Sequence, residues 1–169
     1  MNSIVGAQTP SFEAAHFREA LSTFATGVTV VTAVDATGRR VGLTANSFNS
    51  VSLTPPLVLW SLSRGASSMP AFTRGSRYAI NILAADQRPI AERFAMKNVD
   101  RFEGVAWREG VTGAPIIEGA CAVFECFNRS QYTEGDHVIF VGEVEHCDRR
   151  EGAVPLIYHG GRYFSELPL

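Results

Sequence analysis

The spacing of apolar residues changes early in the chain from a helical to a strand period. From Ser11 the sequence runs SFEAAHFREALSTFATG, in which apolar residues recur at intervals of three and four. This pattern predicts one amphipathic helix that stops at Gly27. The next segment, VTVVTAV (residues 28–34), is rich in β-branched residues and predicts a strand.

Further strands are predicted wherever a short apolar run lies between turn residues. They are VGLTANSF (41–48), LVLWSLS (57–63), RYAINIL (77–83), ACAVFECFNRSQY (120–132), HVIFVGEVEHC (137–147), VPLIYH (154–159) and RYFSEL (162–167). SSMPAF predicts a helical turn, and DQRPIAERFAMK predicts a second helix with Asp86 as its N-cap. Because helices and strands do not alternate, the order favours a mainly β (α+β) fold, an antiparallel barrel with flanking helices.

Size and charge narrow the class of protein. The chain has 169 residues, which predicts a single domain over 1–169, and we expect residues 1–10 to form a flexible N-terminal segment. The net charge of −2 gives no reason to expect nucleic acid or an anionic membrane as a partner. No charged region followed by an apolar core opens the chain, so we expect a cytoplasmic protein.

Several kinds of chemistry lack their sequence signature. The chain has no G-x-G-x-x-G, no P-loop, no G-x-S-x-G and no C-x-x-C motif. The four histidines share no metal-ligand spacing, so no metal site is predicted. Cys121 and Cys126 would point to opposite faces of a strand, which argues against a shared metal, and the three cysteines are expected to be reduced and structural.

One stretch combines strand character with many small polar groups. Residues 43–63, LTANSFNSVSLTPPLVLWSLS, carry seven hydroxyls and two amides and no charge. Such groups suit a flat heteroaromatic ligand edged with carbonyls and ring nitrogens. Arg64, Ser67 and Ser68 follow directly and would suit its phosphate. The alternative is a barrel strand whose serines and threonines satisfy one another.

Five segments, in order, resemble the flavin reductase-like family. They are TGVTVVT, GLTANSFNSVSLTPPLVLWSLS, GAPIIEGACAVFEC, GDHVIFVGEV and LIYHGGRY, and the resemblance runs from Phe12 to Phe164. These short-chain NAD(P)H:flavin oxidoreductases serve two-component monooxygenases. The resemblance implies an antiparallel Greek-key split β-barrel of the FMN-binding type, and a homodimer that binds FMN or FAD at its interface.

The resemblance also implies which residues form the site. The flavin would contact four segments of the chain: Gly27, Val28 and Thr29; Thr44, Ala45, Asn46, Ser47, Ser50 and Val51; Ser61, Ser63, Ser67 and Ser68; and Arg93 and Phe94. His137, in the GDH motif, would orient the nicotinamide of NADH or NADPH; without the resemblance it would be a structural residue. Tyr163 is either a second dinucleotide contact or an aromatic residue that closes the barrel.

The predicted function is the NAD(P)H-dependent reduction of FMN or FAD. Hydride would pass from nicotinamide C4 to flavin N5, and the reduced flavin would go to a separate flavin-dependent monooxygenase. The alternative is a non-catalytic flavin carrier of the same fold. The choice of flavin and nucleotide stays open: Arg64, Arg74 and Arg77 would either receive an extra phosphate or form a solvated face. For the dimer surface we expect the first strand and the GVAW segment (104–107).

Overall fold

The computed structural model describes Gly6 and residues 9–166, and most of the predicted flexible segment 1–10 lies outside these residues. The helices are α1 (Ala14–Ser22), α2 (Met69–Arg74) and α3 (Arg88–Ala95), with a 3-10 helix at Ala85–Gln87. The strands are β1 (Thr26–Gly27), β2 (Thr29–Val34), β3 (Arg40–Ala45), β4 (Asn49–Leu53), β5 (Pro56–Ser63), β6 (Arg77–Ile82), β7 (Trp107–Glu109), β8 (Pro115–Ile117), β9 (Ala122–Glu134), β10 (His137–Arg149), β11 (Leu156–His159) and β12 (Arg162–Ser165). The predicted mainly β fold is confirmed.

The strands form antiparallel sheets. Seven of them lie in the order β3-β2-β6-β9-β10-β5-β4, β1, β11 and β12 form a second sheet, and β7 and β8 form a hairpin. In the described part of the chain no ladder joins β3 to β4, so the large sheet keeps two edges. No helix among the described residues is long and apolar enough to cross a bilayer.

The large sheet curls around an aromatic core. Along β5 every second residue is buried, so Val58, Trp60 and Leu62 point inwards. Phe140 of β10 stacks on Trp60 with ring centroids 4.8 Å apart, and Phe72 of α2 meets Trp60 edge-on at 5.0 Å. The other faces of β5 and β10 are therefore left for the surface.

A second apolar cluster fixes α3 against β3. Phe94 is fully buried and packs on Phe102, with ring centroids 5.0 Å apart. Gly42 allows this approach, because a Cβ atom there would lie 2.7 Å from Phe94 Cε1. The edge of β3 is thus held next to α3 and the loop that follows it.

Three details of the predicted elements were wrong. The first helix ends at Ser22, because the Ser22 and Thr23 hydroxyls donate to the carbonyls of its own last turn, and the chain then enters β1 before Gly27. Asp86 lies inside the 3-10 helix, whose N-cap is Ala84; the Ala84 N–H donates to Gln87 Oε1 at 3.0 Å. The strands β4, β7 and β8 were not predicted.

Candidate active site

Strand register brings the two most informative predicted residues together. In the β5–β10 ladder Ser63 lies opposite His137, and Ser61 lies opposite Ile139. Because Trp60, Leu62 and Phe140 fill the core, these four residues lie on the outer face of the sheet. Polar and apolar side chains therefore meet on one surface.

A pair of hydrogen bonds joins the polar stretch to this surface. The Ser47 hydroxyl donates to the Ser61 carbonyl at 3.2 Å and accepts from the Ser61 N–H at 3.0 Å. Ser47 follows the end of β3, so the bonds span the gap between β3 and β5. Asn46, directly before Ser47, is exposed, and Ser50 is exposed on β4, where it is paired with Val58 of β5.

The GDH motif forms the turn between β9 and β10. Gly135 has φ +57°, a conformation that glycine adopts without strain. His137 Nδ1 lies 2.7 Å from Asp136 Oδ1, a contact that lowers the pKa of Asp136. Because a carboxylate only accepts hydrogen bonds, Nδ1 carries the proton and Nε2 is left to meet a ligand.

Two cavities lie side by side at the loop that follows β5. Their volumes are about 790 and 650 Å³, and both are lined by residues 38–41 and by Ser67 and Ser68. Arg64 N–H donates to the Asp136 carbonyl at 2.9 Å, which ties this loop to the GDH turn. Ser67 and Ser68, which are predicted to bind the phosphate, therefore line both cavities. Arg64 connects their loop to the turn that carries His137.

Arg101 in the smaller cavity was not predicted. Its guanidinium donates to the Gly42 carbonyl at 2.6 Å and to the Met96 carbonyl at 2.6 and 2.8 Å, and burial lowers its pKa. The bonds hold a fixed positive charge on the edge of β3. The only signal in the sequence is an Arg beside Phe102 in an irregular loop, which is too weak to have found it.

Other side chains of the predicted site and the polar stretch form hydrogen bonds with the protein's own backbone. The Thr29 hydroxyl donates to the Ala45 carbonyl at 2.7 Å, and the Thr44 hydroxyl donates to the Ala91 carbonyl at 2.6 Å. Asn49 Oδ1 accepts from the Ser50 N–H, and Ser52 Oγ accepts from the Thr54 N–H. The alternative, in which these groups satisfy one another, therefore describes part of the polar stretch.

Comparison with known proteins decides the family. A family model described as a flavin reductase like domain matches residues 21–166. The chain belongs to this family. FMN reductase (NADH) SmoA of Agrobacterium fabrum is 46% identical over 147 residues, which are 87% of this chain and 83% of that protein.

Solved flavin reductases share the architecture. NADH:FAD oxidoreductase SgcE6 of Streptomyces globisporus C-1027, solved in complex with NAD and FAD fragments, superposes with a TM-score of 0.89 at 38% identity, over 96% of this chain and 98% of that one. BorF, the flavin reductase component of a bacterial two-component tryptophan halogenase, has a TM-score of 0.84 at 37% identity, over 90% and 98%. Some relatives are longer: the chain spans 49% of a probable flavin reductase of Rhizobium meliloti.

The donor set of this flavin reductase domain fits a flavin. Asn46, Ser50 and Ser61 make no side-chain bond with the described residues, so their uncharged donors and acceptors stay free for ring carbonyls and nitrogens. The half-buried Leu59 and Ile139 lie beside Ser61 and offer an apolar surface for a flat ring. Among the described residues no group of acids, histidines and cysteines is arranged to hold a metal.

Four predicted residues lie on α3 or at the start of the first strands. Arg93 donates to the Asp100 carbonyl at 2.8 Å and to Glu103 at 2.7 Å, and Phe94 is buried. Gly27 belongs to the small sheet, where it pairs with Ile157, and Val28 is buried.

Two further predicted residues lie in different sheets, Val51 on β4 and Tyr163 on β12. Val51 is the extra residue of an irregularity in the β4–β5 pairing and is 49% exposed. Tyr163 packs on Tyr158 with ring centroids 5.3 Å apart, beneath Arg88, in a different sheet from His137. The described chain therefore gathers the residues of β5, its flanking loops and the GDH turn, and does not bring Tyr163 to them.

Proposed function

We propose that this protein is an NAD(P)H-dependent flavin reductase that reduces FMN or FAD and releases the reduced flavin to a separate monooxygenase. One observation carries the proposal. Ser63 is paired with His137, and Ser47 is bonded to Ser61, so the segments predicted to meet the flavin and the nicotinamide adjoin on one outer surface. When bound, the flavin supplies the ring nitrogen N5 that takes the hydride from nicotinamide C4.

The residues of the site bind and orient. Asn46 holds the ring edge, Ser50 lies towards the ribityl chain and the phosphate, and Ser67 and Ser68 hold the phosphate. His137, kept in one tautomer by Asp136, accepts a hydrogen bond through Nε2 and aligns the nicotinamide. Hydride transfer needs no side chain that moves a proton, so alignment is the main contribution of the protein to the rate.

The uncharged ring surface favours release of the product. Neutral hydrogen bonds contribute about 0.5–1.5 kcal/mol each, and bonds to charged groups about 1.5–3 kcal/mol. No charged residue occurs in residues 41–63. Ring contacts made by this stretch would therefore not retain the anionic reduced flavin, which must leave for the oxygenase.

We propose that two copies complete a split barrel of the FMN-binding type around the flavin. Exposed apolar residues of α1 and of the turn after it support a dimer: Phe17, Leu21 and Phe24 are 50, 57 and 76% exposed, and the helix buries no residue within its own chain. The first strand is a poorer candidate for this surface than expected, because β2 lies between β3 and β6 and five of its six residues are buried. Light scattering at micromolar concentration tests the dimer, and an active monomer would contradict it.

The proposed partner is a flavin-dependent oxygenase, and the proposed location is the cytoplasm. BorF is the reductase component of a two-component halogenase, which supports a separate flavin-consuming partner. Cys121, Cys126 and Cys147 are all free, as is usual in a reducing compartment.

Steady-state turnover tests the proposal and its alternative. NADH or NADPH consumption is measured with FMN, with FAD and without flavin. A flavin reductase consumes the nucleotide at a rate that saturates with added flavin. A carrier of the same fold would bind flavin and leave the nucleotide unchanged, which would refute the enzyme.

A further inference from the structure

The larger cavity beside the phosphate loop is rich in arginine. We call it the arginine groove; it lies between the β2–β3 turn, α2 and the β7–β8 hairpin, has a volume of about 790 Å³, and includes Arg40, Ser67, Ser68, Arg74 and Trp107 in its lining. This size is within the usual range for a small-molecule site. The residues assigned so far to the flavin ring and to the nicotinamide do not line it.

Two of its four arginines are already neutralised. Arg39 pairs with Asp35 at 3.2 Å, and Arg77 makes a bidentate pair with Glu145 at 2.8 and 3.0 Å. Arg74 forms no ion pair with the described residues. A free cation on the groove wall favours an anionic ligand.

Arg40 presents a flat cationic surface. Its guanidinium carbon lies 4.3 Å from the centroid of the Trp107 ring, so the stack holds the side chain across the groove. A planar guanidinium also stacks on heteroaromatic rings. Glu109 is the carboxylate of the lining without an ion pair in the described part of the chain, which leaves two free cations against one anion.

The groove continues from the predicted phosphate site. Both cavities are lined by Ser67, Ser68 and residues 38–41. The arginine groove is therefore adjacent to any ligand whose phosphate is bound by these serines. FMN ends at that phosphate. FAD continues with a second phosphate and an adenosine, the combination of anion and flat base that Arg74 and Arg40 would receive.

We propose that the arginine groove binds the adenylate half of FAD, and that this protein therefore binds FAD more tightly than FMN. Arg74 contacts the second phosphate, and the Arg40–Trp107 stack supports the adenine. The inference rests on the proposed function, because it needs the flavin phosphate at Ser67 and Ser68.

Equilibrium titration of flavin fluorescence, without any nucleotide, tests the inference. The wild-type chain is expected to bind FAD at least about tenfold more tightly than FMN, and Arg74→Ala to lose about tenfold in FAD affinity, the usual effect of one charged contact. FMN affinity should stay within about twofold. Arg149→Ala is the matched control, because Arg149 is exposed on β10 away from the groove, and should change neither affinity.

Adenosine 5′-monophosphate provides a second probe. It carries the adenylate half without the ring, so it should displace FAD and leave bound FMN in place. Equal affinity for both flavins, or an Arg74→Ala effect that is the same for both, would overturn the inference and leave the flavin site intact. Failure to bind either flavin would contradict the proposed function as well.

Discussion

The Ser47 hydroxyl and the backbone of Ser61 exchange two hydrogen bonds, with the Ser61 N–H donating at 3.0 Å and the Ser61 carbonyl accepting at 3.2 Å. The pair crosses the gap between the end of β3 and β5. It holds Ser47 next to the strand that carries Ser61 and Ser63, and Ser63 is paired with His137. One serine therefore links the positions predicted to meet two different ligands.

Ser47→Ala should reduce both stability and flavin affinity. The substitution leaves the half-buried Ser61 N–H without its acceptor, which costs about 0.5–1.5 kcal/mol in the free energy of unfolding. Thermal melting of the flavin-free protein and a flavin titration measure the two effects. Ser52→Ala is the control: its hydroxyl also accepts a backbone N–H, but in an exposed turn, and should have little effect. If the variant loses stability but keeps its flavin affinity, the two hydrogen bonds between Ser47 and Ser61 do not contribute to the flavin site.

Asn46→Ala and Ser50→Ala should each weaken flavin binding without lowering stability. Both residues are exposed, and neither side chain is bonded to the described residues. The expected loss is about 0.5–1.5 kcal/mol for each neutral bond, or roughly 2- to 13-fold in affinity. Melting temperatures of the flavin-free variants should match the wild type. A fall of several degrees with intact affinity would mean that these groups hold the sheet together.

Elements in which apolar residues recur with a strong period could be predicted from the sequence, and elements without such a pattern could not. The long strands β9 and β10 and the helical turn of α2 follow from apolar runs that any local reading detects. Asn49–Leu53, in contrast, is polar and becomes a strand because it pairs with β5. The hairpin of β7 and β8 depends on packing across β2 and β6, which no local pattern records.

The same limit applies to individual site residues. The resemblance placed Ser61 and Ser63 on one segment and His137 on another, and strand register puts Ser63 opposite His137 with Ser61 on the same face. The partly buried bond of Thr44 to the Ala91 carbonyl depends on where α3 docks, so its hydroxyl looked available in the sequence. Arg101 joins the cavity only because its loop folds back onto the edge of β3.

His137→Ala should impair use of the nicotinamide far more than flavin binding. A lost orienting contact costs about 1–3 kcal/mol, so kcat/KM for NADH should fall roughly ten- to a hundredfold. Flavin affinity should stay within about twofold. Equal losses in both quantities would show that His137 does not act on the nicotinamide.

Asp136→Asn should retain most of the function that Asp136→Ala loses. The amide oxygen of Asn can still accept from His137 Nδ1 and hold the same tautomer, whereas Ala cannot. Nitrogen chemical shifts of the His137 ring report the tautomer directly. If the Ala variant keeps both the tautomer and the NADH efficiency, the 2.7 Å contact has no positioning role.

Glu125→Gln should destabilise the protein, and more so at neutral than at acid pH. Burial raises the pKa of Glu125, but bonds from the Thr112 hydroxyl and N–H, at 2.6 and 2.8 Å, and from the Val111 N–H outweigh it and leave the pKa below its ordinary value. A lowered folded-state pKa stabilises above the unfolded value, and this contribution is lost as pH falls through the folded one. The substitution should cost about 1.5–3 kcal/mol at pH 7.

Denaturant unfolding of Glu125→Gln at pH 7 and at acid pH measures this difference. Glu19→Gln, at an exposed position of α1, is the matched control and should unfold like the wild type. A deficit that is the same at both pH values would mean that the charge of Glu125 does not contribute.

The most direct test of the central claim is rapid anaerobic mixing of the protein, FMN or FAD, and NADH or NADPH, followed at the visible absorbance band of oxidised flavin. A flavin reductase should bleach this band at turnover rates, including flavin in excess over protein, and His137→Ala should slow the bleaching roughly ten- to a hundredfold. Flavin that binds and stays oxidised in the presence of the nucleotide would contradict the enzyme and leave a carrier.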